Sequence, residues 1–300
     1  MRGWWTTSCA TGWAERPPAV GGTIEHEAGR VHRVMGSGGV GLHVREWGAE
    51  TAPPILFIHG WSSCYLAWRG QFDSALRERF RLVCMDLRGH GFSDRPLDPE
   101  LYQTGAHWAD DIAAVMIALG LRRPVLVAAS YGGYVVGDYL ARHGTRNVSA
   151  VNFVGAAVIS SNPPVHIGPR FIEGAVMAAS DDPAVMIEGA RSVIHATTHL
   201  PLPAADAERA LAGFMLTPPA VRAFLLMRTL DFTDTLAELD RPVLVTQGEE
   251  DDIVLPAMAR HIAETVPQGR LSLYPECGHT PQYEFAERFN RELDALAAAV

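Results

Sequence analysis

The sequence predicts an α/β protein, a mostly parallel doubly wound sheet with a helical cap inserted into it. Three observations carry this. Short runs of β-branched and aliphatic residues recur along the chain, helix-patterned segments alternate with them, and one stretch of about eighty residues breaks the alternation. The 300 residues are 48 % hydrophobic and 20 % charged, a balance that builds a large core and excludes global disorder.

In order, Val31–Met35 and Leu42–Trp47 read as strands joined by the glycine-rich run 36–41. Ile55–Ile58, Leu82–Asp86, Val125–Ala129, Val151–Gly155, Val243–Gln247 and Leu271–Tyr274 follow. Most of these runs are short and apolar throughout, as strands covered on both faces are. Tyr65–Arg79, His107–Leu119 and Tyr131–His143 carry helical patterning, the last closed by Gly144. This core is expected over residues 29–159 and 241–300. Residues 160–240 show no strand pattern and are punctuated by Pro163-Pro164, Pro183, Pro201, Pro203 and Pro218-Pro219. Eighty residues are too many for one strand-to-helix connection, so they are assigned to the cap. Within it, Val221–Phe232 is apolar nearly all round and reads as a helix covered on more than one side. Residues 1–28 read as a loose tail.

Charge and composition narrow the function. Twenty-five basic against 34 acidic residues give a net charge of −9. With no basic block, nucleic acid and anionic membrane surfaces are poor partners and a small-molecule substrate is favoured. The longest charge-free stretch, 147–169, is too polar to span a bilayer, and no signal-peptide pattern is present. The four cysteines lie far apart without a C-x-x-C pair, which suits a cytoplasmic protein without disulfides or structural zinc. Oligomeric state is not readable.

Two motifs are decoys. Gly36-x-Gly38-x-x-Gly41 has the letters of a dinucleotide-binding turn, but a strand pattern follows it where a helix N-terminus is needed to face the pyrophosphate. His195-x-x-x-His199 has one-face helical spacing but lacks the glutamate base and third ligand of a zinc hydrolase. No cofactor and no metal are expected.

The chemistry concentrates elsewhere. Val125–Ala129 runs straight into Ser130, flanked two residues away by Ala128 and Gly132, and a helix pattern begins at once. Small flanks permit a sharp strand-to-helix turn that lifts the hydroxyl above the sheet and sets the Tyr131 N–H at a helix start. A plain helix cap is the ordinary alternative for Ser130. The strand before His59-Gly60-Trp61 ends where the Trp61 N–H can join that of Tyr131 as a second oxyanion donor. Glu249, Glu250, Asp251 and Asp252 follow the strand at Val243, and His279 follows the last strand. Nucleophile, acid and base thus each fall just past the C-terminal end of a strand, the edge where open α/β sheets bind ligands.

With these blocks and with Asp86-Leu87-Arg88-Gly89-His90-Gly91-Phe92-Ser93-Asp94, the chain from about Gly41 onward resembles the α/β-hydrolase-fold superfamily, serine-nucleophile branch. Within it the chain is similar to esterases and cofactor-free haloperoxidases, or perhydrolases. The resemblance implies a Ser130–His279–Asp251 triad, the acid at 251 because relatives place it three residues after the glycine and three before the valine. It implies a serine hydrolase cleaving a small or medium apolar ester, thioester or lactone through an acyl-enzyme. Perhydrolysis or carbon–carbon bond hydrolysis by the same triad is the alternative, and a small-molecule sensor on this scaffold is a third. Epoxide hydrolases and haloalkane dehalogenases resemble the chain too, but use aspartate where Ser130 stands. Charges from Asp86 to Asp94 are expected to pin a loop. Candidate pocket residues are Trp61, Tyr131, Met177, Phe214, Phe224, Met227 and Val254.

Overall fold

A computed structural model describes residues 29–161 and 163–300; the tail expected over 1–28 lies outside these. Eight strands form one sheet: β1 (Arg30–Met35), β2 (Gly41–Trp47), β3 (Pro54–Ile58), β4 (Arg81–Met85), β5 (Val125–Ala129), β6 (Ala150–Val154), β7 (Val243–Gly248) and β8 (Gly269–Tyr274). Their order is β1-β2-β4-β3-β5-β6-β7-β8. β1 and β2 form an antiparallel hairpin, β2 runs antiparallel to β4, and every other neighbouring pair is parallel. The glycine-rich run is the turn of that hairpin, closed by the Gly36 N–H on the Val40 carbonyl at 2.8 Å, so the dinucleotide motif is a decoy in fact.

Period-two alternation divides the strands between two cores although both faces are covered. Leu56, Ile58, Leu126, Ala128, Val151 and Phe153 join one cluster with Trp108 and Val135 from the helices 105–118 and 132–143. Ile55, Phe57, Val125, Val127 and Leu244 join the other with Trp68, Phe72 and Phe289. The chain leaves β3 for β4 on one side and leaves β5 for β6 on the other. The crevice between β3 and β5 is therefore the topological switch point, and the turns after these two strands meet there.

Two sequence expectations are corrected. Tyr65–Arg79 is not one helix but a 3₁₀ turn, Tyr65–Trp68, and two short helices, Arg69–Phe72 and Leu76–Arg79. Ser74 breaks it, because its hydroxyl donates to the Gln71 carbonyl at 2.6 Å and accepts from the Leu76 N–H at 3.2 Å, competing with the helical ladder. Val221–Phe232 is not wholly helical either: the helix is Pro219–Leu226, and Asp231 bridges to Ile159. Between β6 and β7 the described chain forms helices and isolated bridges only, with prolines opening the helices at 169, 183 and 219. No helix of the described residues is long and apolar enough to cross a membrane.

Candidate active site

Ser130 sits on the turn from β5 into the helix Gly132–His143 with φ of 53°, in the left-handed region that costs a serine on the order of 1–3 kcal/mol. Its surroundings hold it there. The Ser130 N–H donates to the Val154 carbonyl at 3.0 Å, and its own carbonyl accepts from Gly133 at 2.9 Å and Ala157 at 3.0 Å. The turn is tight enough that a methyl on Gly132 would stand 2.6 Å from the Ile58 carbonyl oxygen. Although the strand before it is buried, Ser130 itself is partly exposed.

The turn after β3 lies against this serine: a methyl on Gly60 would be 2.8 Å from the Ser130 Cβ. His59 fixes that turn from within. It is wholly buried, Nδ1–H donates to the Gly60 carbonyl at 2.8 Å, and Nε2 accepts from the Leu87 N–H at 3.0 Å. Burial holds its pKa below the ordinary value, so the ring is neutral and both nitrogens stay in these roles. Among the described residues neither the Trp61 nor the Tyr131 N–H has a protein acceptor, which leaves both donors available to an anion.

Across the sheet edge, His279 Nδ1 lies 2.8 Å from Asp251 Oδ2, with both side chains nearly buried. Asp251 is saturated: Oδ1 accepts from the Ile253 and Val254 N–H groups at 2.9 and 3.0 Å, and Oδ2 accepts also from Gln247 Nε2 at 2.8 Å. The rival acids are elsewhere. Glu249 and Glu250 are exposed, and Asp252 is 60 % exposed and faces Arg170 at 3.4 Å. The peptide linking Ser130 to this pair is Val154–Gly155: Val154 accepts from Ser130, and a methyl on Gly155 would stand 3.1 Å from His279 Nδ1. The His279 loop is in turn tied to the insertion, through its N–H to the Thr197 carbonyl at 2.9 Å.

A cavity of about 520 Å³ adjoins the site at Trp61 and Thr280. Leu66, Val193, Ile194, Leu202 and Phe214 supply much of its apolar wall, and Asp206, Arg209 and Tyr283 also border it. Ser130, Asp251 and His279 do not line it. Of the candidate pocket residues only Trp61 and Phe214 do, packed edge to face with ring centroids 5.5 Å apart. Tyr131 turns its ring into the core against Trp108 and Tyr134, with its hydroxyl 3.4 Å from Arg228. The helix Pro219–Leu226 buries Val221 and Leu225, which aims Phe224 at Tyr102 and leaves Met227, just past its end, 71 % exposed. Met177 and Val254 are also outside the cavity wall; Val254 is buried and serves Asp251 through its backbone.

The remaining motif residues are structural. Asp86 accepts from the Tyr65 and Phe92 N–H groups and meets His43, while Arg88 forks onto Asp111 at 2.7 Å on both arms. Cys64 and Cys277 are buried thiols; burial pushes Cys64 up to about 12 and Cys277 further, so neither supplies a thiolate. The helix Pro183–His195 ends at its histidine, which puts His199 in the following loop and dissolves the one-face spacing. Sequence reasoning missed Gln247 and Gly155.

The family model for the alpha/beta hydrolase fold matches residues 53–286. Among curated proteins, the chain is 31 % identical over 273 residues to a bifunctional esterase/perhydrolase of Acinetobacter calcoaceticus, covering 86 % of this chain and 96 % of that one. It is 29 % identical over 273 residues to a non-heme chloroperoxidase of Kitasatospora aureofaciens, covering 85 % and 95 %. Among solved structures, an esterase from a Rhodococcus species superimposes with a TM-score of 0.83 at 33 % identity, covering 89 % of this chain and 98 % of that one.

Proposed function

Because the chain belongs to the α/β-hydrolase fold family, we propose that it is a serine hydrolase of small or medium apolar carboxylic esters, thioesters or lactones, working through an acyl-enzyme on Ser130. The observation that carries the reading is the 2.8 Å contact of His279 Nδ1 with Asp251 Oδ2. A carboxylate on Nδ1–H commits Nε2 to accepting a proton, which is what a serine hydroxyl needs to become a nucleophile.

In the proposed cycle Ser130 Oγ attacks the ester carbonyl while His279 takes the hydroxyl proton. The developing oxyanion is received by the Trp61 and Tyr131 N–H groups, and Asp251 stabilises the imidazolium. His279 then protonates the departing alcohol, and a water molecule activated by the same ring releases the acid and restores Ser130. Residues 160–240 act as a cap whose Val193, Ile194, Leu202 and Phe214 give the cavity its apolar wall, which suits an uncharged substrate of modest size.

The test is turnover of p-nitrophenyl esters of graded chain length by the wild type and Ser130→Ala. Loss of at least ~10³ in kcat with unchanged thermal unfolding is expected; comparable turnover by a folded variant would overturn the reading. A second reaction is favoured by the relatives named perhydrolase and chloroperoxidase. Hydrogen peroxide in place of water would take the acyl group from Ser130 and leave as the peracid. Peracid titration with acetate or an acetyl ester, with and without peroxide, separates the two.

A further inference from the structure

Gln247, next to last in β7, is fully buried at the back of Asp251. Its Nε2 lies 2.8 Å from Asp251 Oδ2, 3.1 Å from the Val254 carbonyl and 3.2 Å from that of Gly248. Three acceptors around one end fix the amide's orientation, since oxygen there would face a carboxylate and two carbonyls. The oxygen that accepts from His279 thus accepts from Gln247 as well.

We infer that Gln247 is a positioning residue that limits how tightly Asp251 holds the protonated imidazole of His279, a role that rests on the triad reading above. A hydrogen bond donated to a carboxylate favours its charged form and spreads its charge. The carboxylate then attracts an imidazolium less than it would unassisted, so removing the amide strengthens its hold on the protonated ring. The second effect is geometric: with Ile253 and Val254 on Oδ1, the amide leaves Oδ2 one direction in which to meet the ring.

Other groups around the ring leave this effect visible. The Cys277 thiol is kept protonated by burial and by Glu284. The Glu284 carboxylate is held by the N–H groups of Gly278 at 2.9 Å and His199 at 2.8 Å. Gly155 brings no charge, Thr197 offers only its carbonyl, and Asp252 turns outward to Arg170.

The experiment is the pH profile of kcat/KM for p-nitrophenyl acetate with the full chain, comparing wild type, Gln247→Met, Gln247→Leu and Asp251→Asn. In both Gln247 variants the acid limb is expected to move to higher pH by about half a unit or more, with kcat reduced and KM held. A residue that only packs β7 would lower stability without moving that limb. Folded Gln247 variants with the wild-type limb, or failure of both to fold, would assign Gln247 to the strand frame and overturn the inference. Wild-type activity in Asp251→Asn would overturn the triad reading beneath it.

Discussion

Gly155 and His279 meet so closely that a side chain on the glycine would force the histidine to give: a methyl on it would stand 3.0 Å from the His279 carbonyl oxygen, 3.1 Å from Nδ1 and 3.3 Å from Asp251 Oδ2. The backbone there has φ of 49°, a conformation that alanine adopts only with strain. Gly155→Ala is therefore expected to push the imidazole off line. A kcat loss of ~10²-fold with a destabilisation of about 1–2 kcal/mol is the expected outcome, read by ester turnover and urea unfolding.

The four acidic residues after β7 separate by substitution. Asp251→Asn keeps the shape but reverses the tautomer the ring can present, and should cost ~10²–10⁴ in kcat. Asp252→Asn removes an exposed charge and should leave kcat within about twofold. Steady-state kinetics of the two variants side by side decides which carboxylate acts.

Arg222 is a wholly buried guanidinium with no carboxylate in ion-pair reach among the described residues. Its partners are helix ends: Nη1 donates to the Ala178 carbonyl at 2.7 Å and Nη2 to that of Phe214 at 2.8 Å, at the C-termini of the helices 169–178 and 204–215. Negative helix ends offset part of its burial, which still lowers its pKa to about 10. Arg222→Met should cost about 2–4 kcal/mol by stripping the guanidinium from both carbonyls, of which that of Phe214 keeps the Thr217 N–H at 3.2 Å. Lysine should rescue little, because a single ammonium lacks the fork that spans two helix ends. Chemical denaturation measures both variants.

Acid should weaken the fold through His90. Burial drives this imidazole from 6.5 down to about 3, and among the described residues Nε2 has no partner. Above pH 6.5 both folded and unfolded chains hold it neutral. Below it the unfolded chain takes a proton that the folded one refuses, so stability falls as pH drops toward 3, by on the order of 2 kcal/mol at pH 5. Unfolding free energies at pH 7.5 and pH 5 should show a smaller drop for His90→Asn than for the wild type.

Much of this site was legible because its residues carry local signatures. A serine between small flanks at a strand end declares the Ser130 turn, and the strand-end positions of Asp251 and His279 follow from one register of apolar runs. What escaped depends on through-space neighbours. Gln247 reads as the polar end of a buried strand, and only the fold shows its amide returning four residues along to Asp251. Gly155 gave no sign that His279 would fill its side-chain space. Of the four pocket candidates from the insertion, Met177, Phe224 and Met227 lie outside the cavity wall and Phe214 alone lines it, for the same reason. An apolar count tells that the helix Pro219–Leu226 is covered, but not that Val221 and Leu225 face in while Met227 lies out.

The most direct measurement is mass spectrometry of the full chain after reaction with a fluorophosphonate. One stoichiometric adduct, mapped to Ser130 and absent from Ser130→Ala and sharply slowed in His279→Ala, is the expected result. An adduct on another residue, or undiminished labelling of Ser130→Ala, would contradict the assignment of the nucleophile.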